Sequence, residues 1–178
     1  EVVQFVSYAD ATGKLEDKKI VLDAFLQAEH PRDLLDTLQV FAPVRNEINR
    51  CVDAFASHKE THGDLSFYEI ASPYQITSIV STLISFGQLP ANHALILLSP
   101  HDDIFHISAR RQDCKVHMGE VMRQATADLQ EANGGGHIPA AGGSIRKQDL
   151  AQFKKNVLAA YELVQRGKDA AVRSQKVQ

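Results

Sequence analysis

Apolar residues recur at helical spacing through the first third of this chain and at strand-like spacing through its middle. Val2-Val3-Gln4-Phe5-Val6-Ser7 is rich in β-branched and aromatic residues and predicts a short strand, closed by Ala11-Thr12-Gly13. From Lys18 to Ala28, Ile20, Val21, Ala24, Phe25 and Ala28 fall at i, i+3 and i+4, the signature of an amphipathic helix. Pro31 breaks that helix and opens a short one through Leu34, Leu35, Leu38 and Phe41. Pro43 opens a third, with Val44, Ile48, Val52 and Phe55 on one face and an end near His62-Gly63.

The character changes at Asp64. Leu65 to Ile70 alternates like a half-buried strand. Ser72-Pro73 has the form of a helix start, an N-cap followed by proline, and Ile76, Ile79, Val80, Leu83 and Ile84 face inward up to Gly87. Ala94 to Leu98 is a continuous apolar run, as in a buried central strand. Pro100-His101-Asp102-Asp103 turns the chain, and Ile104 to Ser108 returns as a paired strand. A helix is predicted over His117–Glu131, a glycine-rich loop after it, and a short strand around Ala141 to Ile145. Lys147 to Gln165 predicts the last helix, with Phe153, Val157, Leu158, Tyr161 and Val164 as its core face.

These elements predict an α/β fold: a mixed β-sheet of four to five strands flanked by helices, preceded by an acidic helical segment. The divisions are a helical segment over 1–63, a domain over 64–166 and a polar, frayed tail over 167–178. With 178 residues and 44% hydrophobic content the chain can bury an ordinary core. It contains no apolar run long enough to cross a bilayer and no signal-peptide pattern. Cys51 and Cys114 are too few for a disulfide framework and are expected to be small packing residues. Together these features favour a cytoplasmic, reducing setting.

Charge sharpens the division. Residues 1–103 hold seven Lys/Arg against fifteen Asp/Glu, whereas residues 104–155 hold eight against five. The net charge of −3 argues against a strong stand-alone nucleic-acid binder. Its distribution suits anion binding at the basic part and protein contact at the acidic one, although ordinary solvated surface gives the same asymmetry.

The segment Asn133-Gly134-Gly135-Gly136-His137-Ile138-Pro139-Ala140-Ala141-Gly142-Gly143 carries the candidate chemistry. So many glycines read as a loop, not a packing element, and bare amides suit close approach of a phosphate. His137 adds a side-chain donor. A generous connecting loop is the plainer alternative. Ser108 and Arg110, two apart on a strand, share a face at what reads as the sheet edge. Arginine makes forked, charge-assisted bonds to phosphate, but an edge arginine in solvent is as common.

Gly134-Gly135-Gly136-His137-x-x-Ala140-Ala141-Gly142 resembles the signature of the DHH-associated substrate-binding domain, the C-terminal half of DHH-family phosphoesterases. These include the RecJ single-strand exonucleases and their archaeal relatives. Ile107-Ser108-Ala109-Arg110-Arg111 resembles the family's Ser-x-Arg-Ser strand end, with Arg111 a departure where a small residue is usual, and Met118 to Met122 resembles the start of the intervening helix. The resemblance covers roughly residues 64 to 166. It implies that Gly134, Gly135, Gly136 and His137 grip the phosphate and sugar beside the scissile bond, with Ser108 and Arg110 as further ligand contacts. It also implies manganese in a catalytic half whose Asp-x-Asp and Asp-His-His clusters are not in this sequence.

The resemblance therefore implies a phosphate-contacting module for single-stranded DNA or RNA, inactive as a nuclease by itself. Beginning at Glu1 and not Met, the chain reads as a fragment of a larger nuclease or a natural binding domain. A replisome partner of the GINS type, met by the acidic segment, is implied by archaeal-type relatives. Two alternatives stay open: a non-catalytic replisome scaffold, and an oligonucleotide or cyclic-dinucleotide phosphodiesterase fragment. His101, Asp102, Asp103 and His106 fit a hairpin turn better than a metal site, because a metal needs ligands converging from several elements. No Ser/His/Asp triad has a supporting motif. Phe67, Tyr68, Tyr74 and Phe105 sit at apolar-periodic positions and are expected to pack in the core, not to stack on bases.

Overall fold

The structure, a computed structural model, describes the backbone of residues 2–175 and the side chains of residues 6–30, 32–35 and 39–167. Its centre is a six-stranded mixed sheet, one strand more than the upper expectation. In chain order the strands are β1 (Glu60–His62), β2 (Leu65–Glu69), β3 (Ala94–His101), β4 (Ile104–Arg110), β5 (Asn133–Gly136) and β6 (Ala140–Arg146). Across the sheet the order is β1-β2-β3-β4-β6-β5, with only β2 and β3 parallel. That parallel pair needs a crossover, which α5 (Thr77–Gly87) supplies.

Four helices precede the sheet: α1 (Val2–Ala11), α2 (Leu15–Gln27), α3 (Pro31–Thr37) and α4 (Ala42–His58). A 3₁₀ turn at Leu38–Phe41 joins the last two. The strand expected at Val2–Ser7 is a helix. Burial falls on Tyr8, Ala9 and Ala11, beyond the β-branched run, at spacing that only a helix directs toward one core. Leu38 lies outside the described side chains; Val21, Ala24, Leu34, Phe41, Val44, Ile48 and Phe55 are buried as their spacing requires. α4 stops at His58, and the residues expected to finish it form edge strand β1 against β2.

Two cores sandwich the sheet. The helical segment and α5 pack on Tyr68, Ile70, Leu95 and Leu97. α6 (Met118–Thr126) and α7 (Leu150–Gln175) pack on the opposite face, over Phe67, Ile96, Leu98, Phe105, Ile107, Ala109 and Ile145. β2 is consequently buried on both sides from Leu65 to Tyr68 instead of alternating. Phe67, Tyr68 and Phe105 are core residues, and Tyr74 is half-buried.

Three element limits differ from the pattern. α5 begins at Thr77, not Pro73: Ser72 Oγ accepts the Tyr74 amide (3.1 Å), but the Gln75 amide donates to the Ala11 carbonyl (2.7 Å) and holds residues 72–76 against α1. α6 ends at Thr126, five residues early. α7 runs past the expected fray point at Gly167.

The glycine segment is the largest departure. It is a β-hairpin, β5 and β6 joined through His137-Ile138-Pro139, and Gly134, Gly136 and Gly143 in it are packing residues. A Cβ on Gly134 would lie 2.4 Å from the Met122 carbonyl oxygen of α6, and one on Gly119 would lie 2.2 Å from that of Gly136. Gly136 also has φ of +140°, which side chains disfavour. α6 thus lies backbone-to-backbone on the hairpin, closer than any alanine permits.

Candidate nucleic-acid interface

Strand alternation decides which side chains leave the core. On β4, Phe105, Ile107 and Ala109 point to α6 and α7, so His106, Ser108 and Arg110 point the other way. Register carries that face outward: Arg110 pairs with Ala140, Ser108 with Gly142 and His106 with Ser144. Beyond them Gly142 pairs with Gly135 and Ser144 with Asn133. β4 is therefore a central strand, and Ser108 and Arg110 are not at a sheet edge as the sequence suggested. They open onto a shelf formed by β4, β6 and β5, where glycine leaves the surface low. A Cβ at Gly135 would meet nothing within 4 Å.

α5 forms the wall of this shelf. It carries the exposed Ser78 and the buried Ser81 and Ser85 at helical spacing among apolar residues. Ser81 Oγ and the buried Ser108 Oγ are 2.7 Å apart. Arg110 donates through Nη2 to Ser78 Oγ (2.9 Å), and Gln112 donates to Ser85 Oγ (2.7 Å). The Arg110 side chain thus reaches back along β4 to the start of α5. It is half-buried, burial alone pushes its pKa down, and it makes no ion pair among the described residues. A desolvated guanidinium bonded only to neutral hydroxyls has charge to spare for an anion.

The neighbouring arginine is arranged oppositely. Arg111 is 4% exposed and donates to both oxygens of Asp113 (2.8 and 3.0 Å), to Asp64 Oδ2 (3.1 Å) and to the Tyr161 hydroxyl. Its hydrogen bonds hold the Asp113 carboxyl below the usual carboxylate range, whereas burial pushes Tyr161 up. Arg111 faces away from the shelf, toward Asp113, Asp64 and Tyr161. It ties β4 to α7 and to the loop before β2, a structural role that the departure from the family pattern did not disclose.

His137 is exposed at the hairpin turn. Its amide donates to the Ala140 carbonyl (2.8 Å), and its own carbonyl accepts from Gly119 (3.1 Å). The Met118 amide donates to the Ile138 carbonyl (3.0 Å), and His117 Nδ1 accepts from the Glu120 amide (3.1 Å). The hairpin turn thus caps α6 and consumes its first amides. The expected nest of loop amides is instead an edge strand, in which alternate amides face away from β6. The backbone donors that remain therefore belong to a strand edge.

His101, Asp102, Asp103 and His106 do lie on one hairpin, with Asp102 in the left-handed region at φ 45°. The His101 and His106 rings are 5.8 Å apart. Among the described residues no three His, Cys, Asp or Glu side chains are placed to hold a metal ion. No described helix is long and apolar enough to cross a membrane.

The sequence analysis passed over Ser78, Ser81 and Ser85. For Ser81 and Ser85 a signal was present, since serines on the buried side of an apolar helix are misplaced unless they have polar partners.

A six-stranded α/β domain with a glycine hairpin under α6 and an arginine shelf beside α5 is the architecture of a DHH-family C-terminal domain. Residues 66–163 match the DHHA1 domain family, and the chain belongs to it. No curated protein matches the sequence. Among solved structures, RecJ from Thermus thermophilus in complex with Mn2+ is similar at 15% identity and a TM-score of 0.62, covering 89% of this chain and 22% of that one. The pGpG-specific phosphodiesterase PggH from Vibrio cholerae is similar at 15% identity and a TM-score of 0.50, covering 80% of this chain and 46% of that one. The chain thus spans less than half of either protein, and at these identities the likeness is one of fold.

Proposed function

We propose that the β4–β6–β5 shelf binds the phosphodiester backbone of single-stranded nucleic acid, as the substrate-binding module of a RecJ-like DHH phosphoesterase. The observation that carries this reading is Arg110, half-buried, held by Ser78 and without a carboxylate partner among the described residues. Gly135 and Gly142 keep the neighbouring surface low enough for a sugar-phosphate chain, Ser108 borders it, and the exposed His137 stands at its end. Gly134 and Gly136 support the shelf from beneath and contribute only edge amides.

In this reading cleavage belongs to a partner half bearing manganese, and the archaeal type of the module is part of the proposal. The acidic helices α1–α3 carry exposed Leu15, Leu22 and Leu26, a surface suited to a protein partner such as a GINS-type replication protein. Membership of the DHHA1 family favours the phosphoesterase module over a pure scaffold.

Fluorescence anisotropy of labelled single-stranded oligonucleotide tests the reading. Binding should be weak, indifferent to base sequence and salt-dependent, with a slope of about −0.7 per phosphate neutralised. Arg110→Ala should cost on the order of 1.5–3 kcal/mol of binding while the protein stays folded. Wild-type affinity in that variant would refute the reading.

A further inference from the structure

Helix α2 is apolar on two opposite sides. Val21 and Ala24 are buried in the helical core, as one amphipathic face requires. Leu15, Leu22 and Leu26, at i, i+7 and i+11, fall within about 40° of one another on the other side. They are 77, 58 and 76% exposed, so the ridge they form stands in solvent, with the exposed Phe25 and Ile20 at its two shoulders. A single exposed leucine is ordinary, but a helix with an apolar stripe on each side has one more face to cover than the core covers.

The two flanks of the ridge differ in charge. Toward α1, Lys18 is engaged by Asp10 at 2.5 Å. Toward α3 runs a groove of about 540 Å³, lined by Ile20 and Ala24 and by three acidic residues, Asp23, Glu29 and Asp33. Asp33 Oδ2 accepts the Glu29 and His30 amides (3.2 and 2.9 Å), which holds that carboxylate in the bend between α2 and α3. Asp23 and Glu29 make no ion pair among the described residues. Of the two lysines of α2, only Lys19 stands on the acidic side of the ridge.

We propose that the α2 ridge and the acidic groove beside it dock a basic amphipathic helix of a partner protein. The apolar stripe of that helix covers Leu15, Leu22 and Leu26, and Lys or Arg side chains along one border of the stripe reach Asp23, Glu29 and Asp33. Anchors at helical spacing supply the contact, and opposite charge along the rim fixes its orientation. The same carboxylates repel a nucleic-acid backbone, so this surface is separate from the phosphate shelf. A second copy of the chain is poorly matched, because an antiparallel pair of α2 helices about a two-fold axis sets the acidic flank against itself. The proposal rests on the reading of α1–α3 as a protein-binding surface and gives that partner its chemistry.

Fluorescence anisotropy of the full chain with two labelled synthetic amphipathic helices of equal length tests it, one of leucine and lysine, the other of leucine and glutamate. The lysine helix should bind on the order of tenfold more tightly at low salt, and the difference should shrink as salt rises. Leu22→Gln with Leu26→Gln, both at exposed positions, should abolish its binding. Asp23→Asn with Glu29→Gln should weaken it about fivefold. Both double variants should keep the wild-type circular-dichroism spectrum and oligonucleotide affinity. Equal binding of the two helices overturns the basic partner and leaves a protein-binding ridge standing. Binding of neither, or binding that the leucine variants leave unchanged, overturns the ridge and the protein-partner reading with it. Sedimentation of the chain alone tests the second copy: a dimer that Leu22→Gln dissociates gives the face to self-association and overturns the proposal.

Discussion

Gly134 and Gly135 are adjacent in sequence and should respond oppositely to alanine. At Gly134 the new Cβ meets the Met122 carbonyl oxygen at 2.4 Å and Thr126 Oγ1 at 2.7 Å. Neither is the free end of a flexible chain: one is helix backbone, and the other is bonded to that same carbonyl at 3.0 Å. The hairpin or α6 must therefore move, and overpacking of this kind costs about 1–3 kcal/mol. For a chain of this length each kcal/mol shifts the melting midpoint by about 2–4 °C, so Gly134→Ala should melt roughly 2–12 °C below wild type. At Gly135 the Cβ enters open space, and the lost unfolded-state freedom should give about 0.4–1 kcal/mol of stabilisation. Its methyl group nevertheless stands on the shelf and should weaken oligonucleotide binding. Circular-dichroism melts and anisotropy on the same preparations separate the two effects. A Gly134→Ala protein that melts like wild type, or a Gly135→Ala protein destabilised as much as its neighbour, would refute the assignment of faces.

Arg111→Met removes the cation shared by Asp113, Asp64 and Tyr161; because both carboxylates reach water, the loss should be about 3 kcal/mol, the low end for a broken buried pair, read by urea unfolding. Burial depresses the His93 pKa, so the unfolded chain takes up a proton first as pH falls below about 6.5. Stability should therefore decline from pH 7 toward the lower folded value, and His93→Gln should flatten that part of the profile in denaturant titrations. Asp113 acts in a lower window: its depressed pKa contributes stability above the unfolded carboxylate value of about 3.9, lost as pH falls through the folded one. Asp113→Asn should reduce the acid-induced loss of stability between pH 4 and the folded pKa, again by denaturant titration.

Much of the framework was legible because local pattern and tertiary environment agreed. The apolar run Ala94–Leu98 is the buried core of β3, and the turn at Pro100–Asp103 does return the chain as a paired strand. Helices α3 and α4 bury Leu34, Val44, Ile48 and Phe55 as their spacing marked, and Pro31 and Pro43 stand at or near their starts, whereas α2 buries only Val21 and Ala24 of its marked face and leaves Ile20 and Phe25 exposed. Agreement failed where a long-range contact overrode a local preference. Val2–Ser7 has strand composition, but among the described residues no strand pairs with it, and Tyr8 and Ala11 dock as one helical face. Ser72-Pro73 has cap chemistry, but the Ala11 carbonyl captures the Gln75 amide before a helix can form there.

The candidate site divides along the same line. By sequence alone the chain marked glycines, a histidine and a Ser-x-Arg strand end as the candidate residues, because their types and order survive without coordinates. It could not tell which glycine serves packing and which serves the open face, since both depend on which side of a hairpin α6 covers. Nor could it separate Arg110 from Arg111. The pleat turns one toward the serines of α5 and the other toward Asp113, Asp64 and Tyr161. Only the tertiary structure decides that one cation is neutralised by carboxylates while its neighbour makes no ion pair among the described residues, because counter-charges up to 47 residues away in sequence are brought within hydrogen-bonding distance.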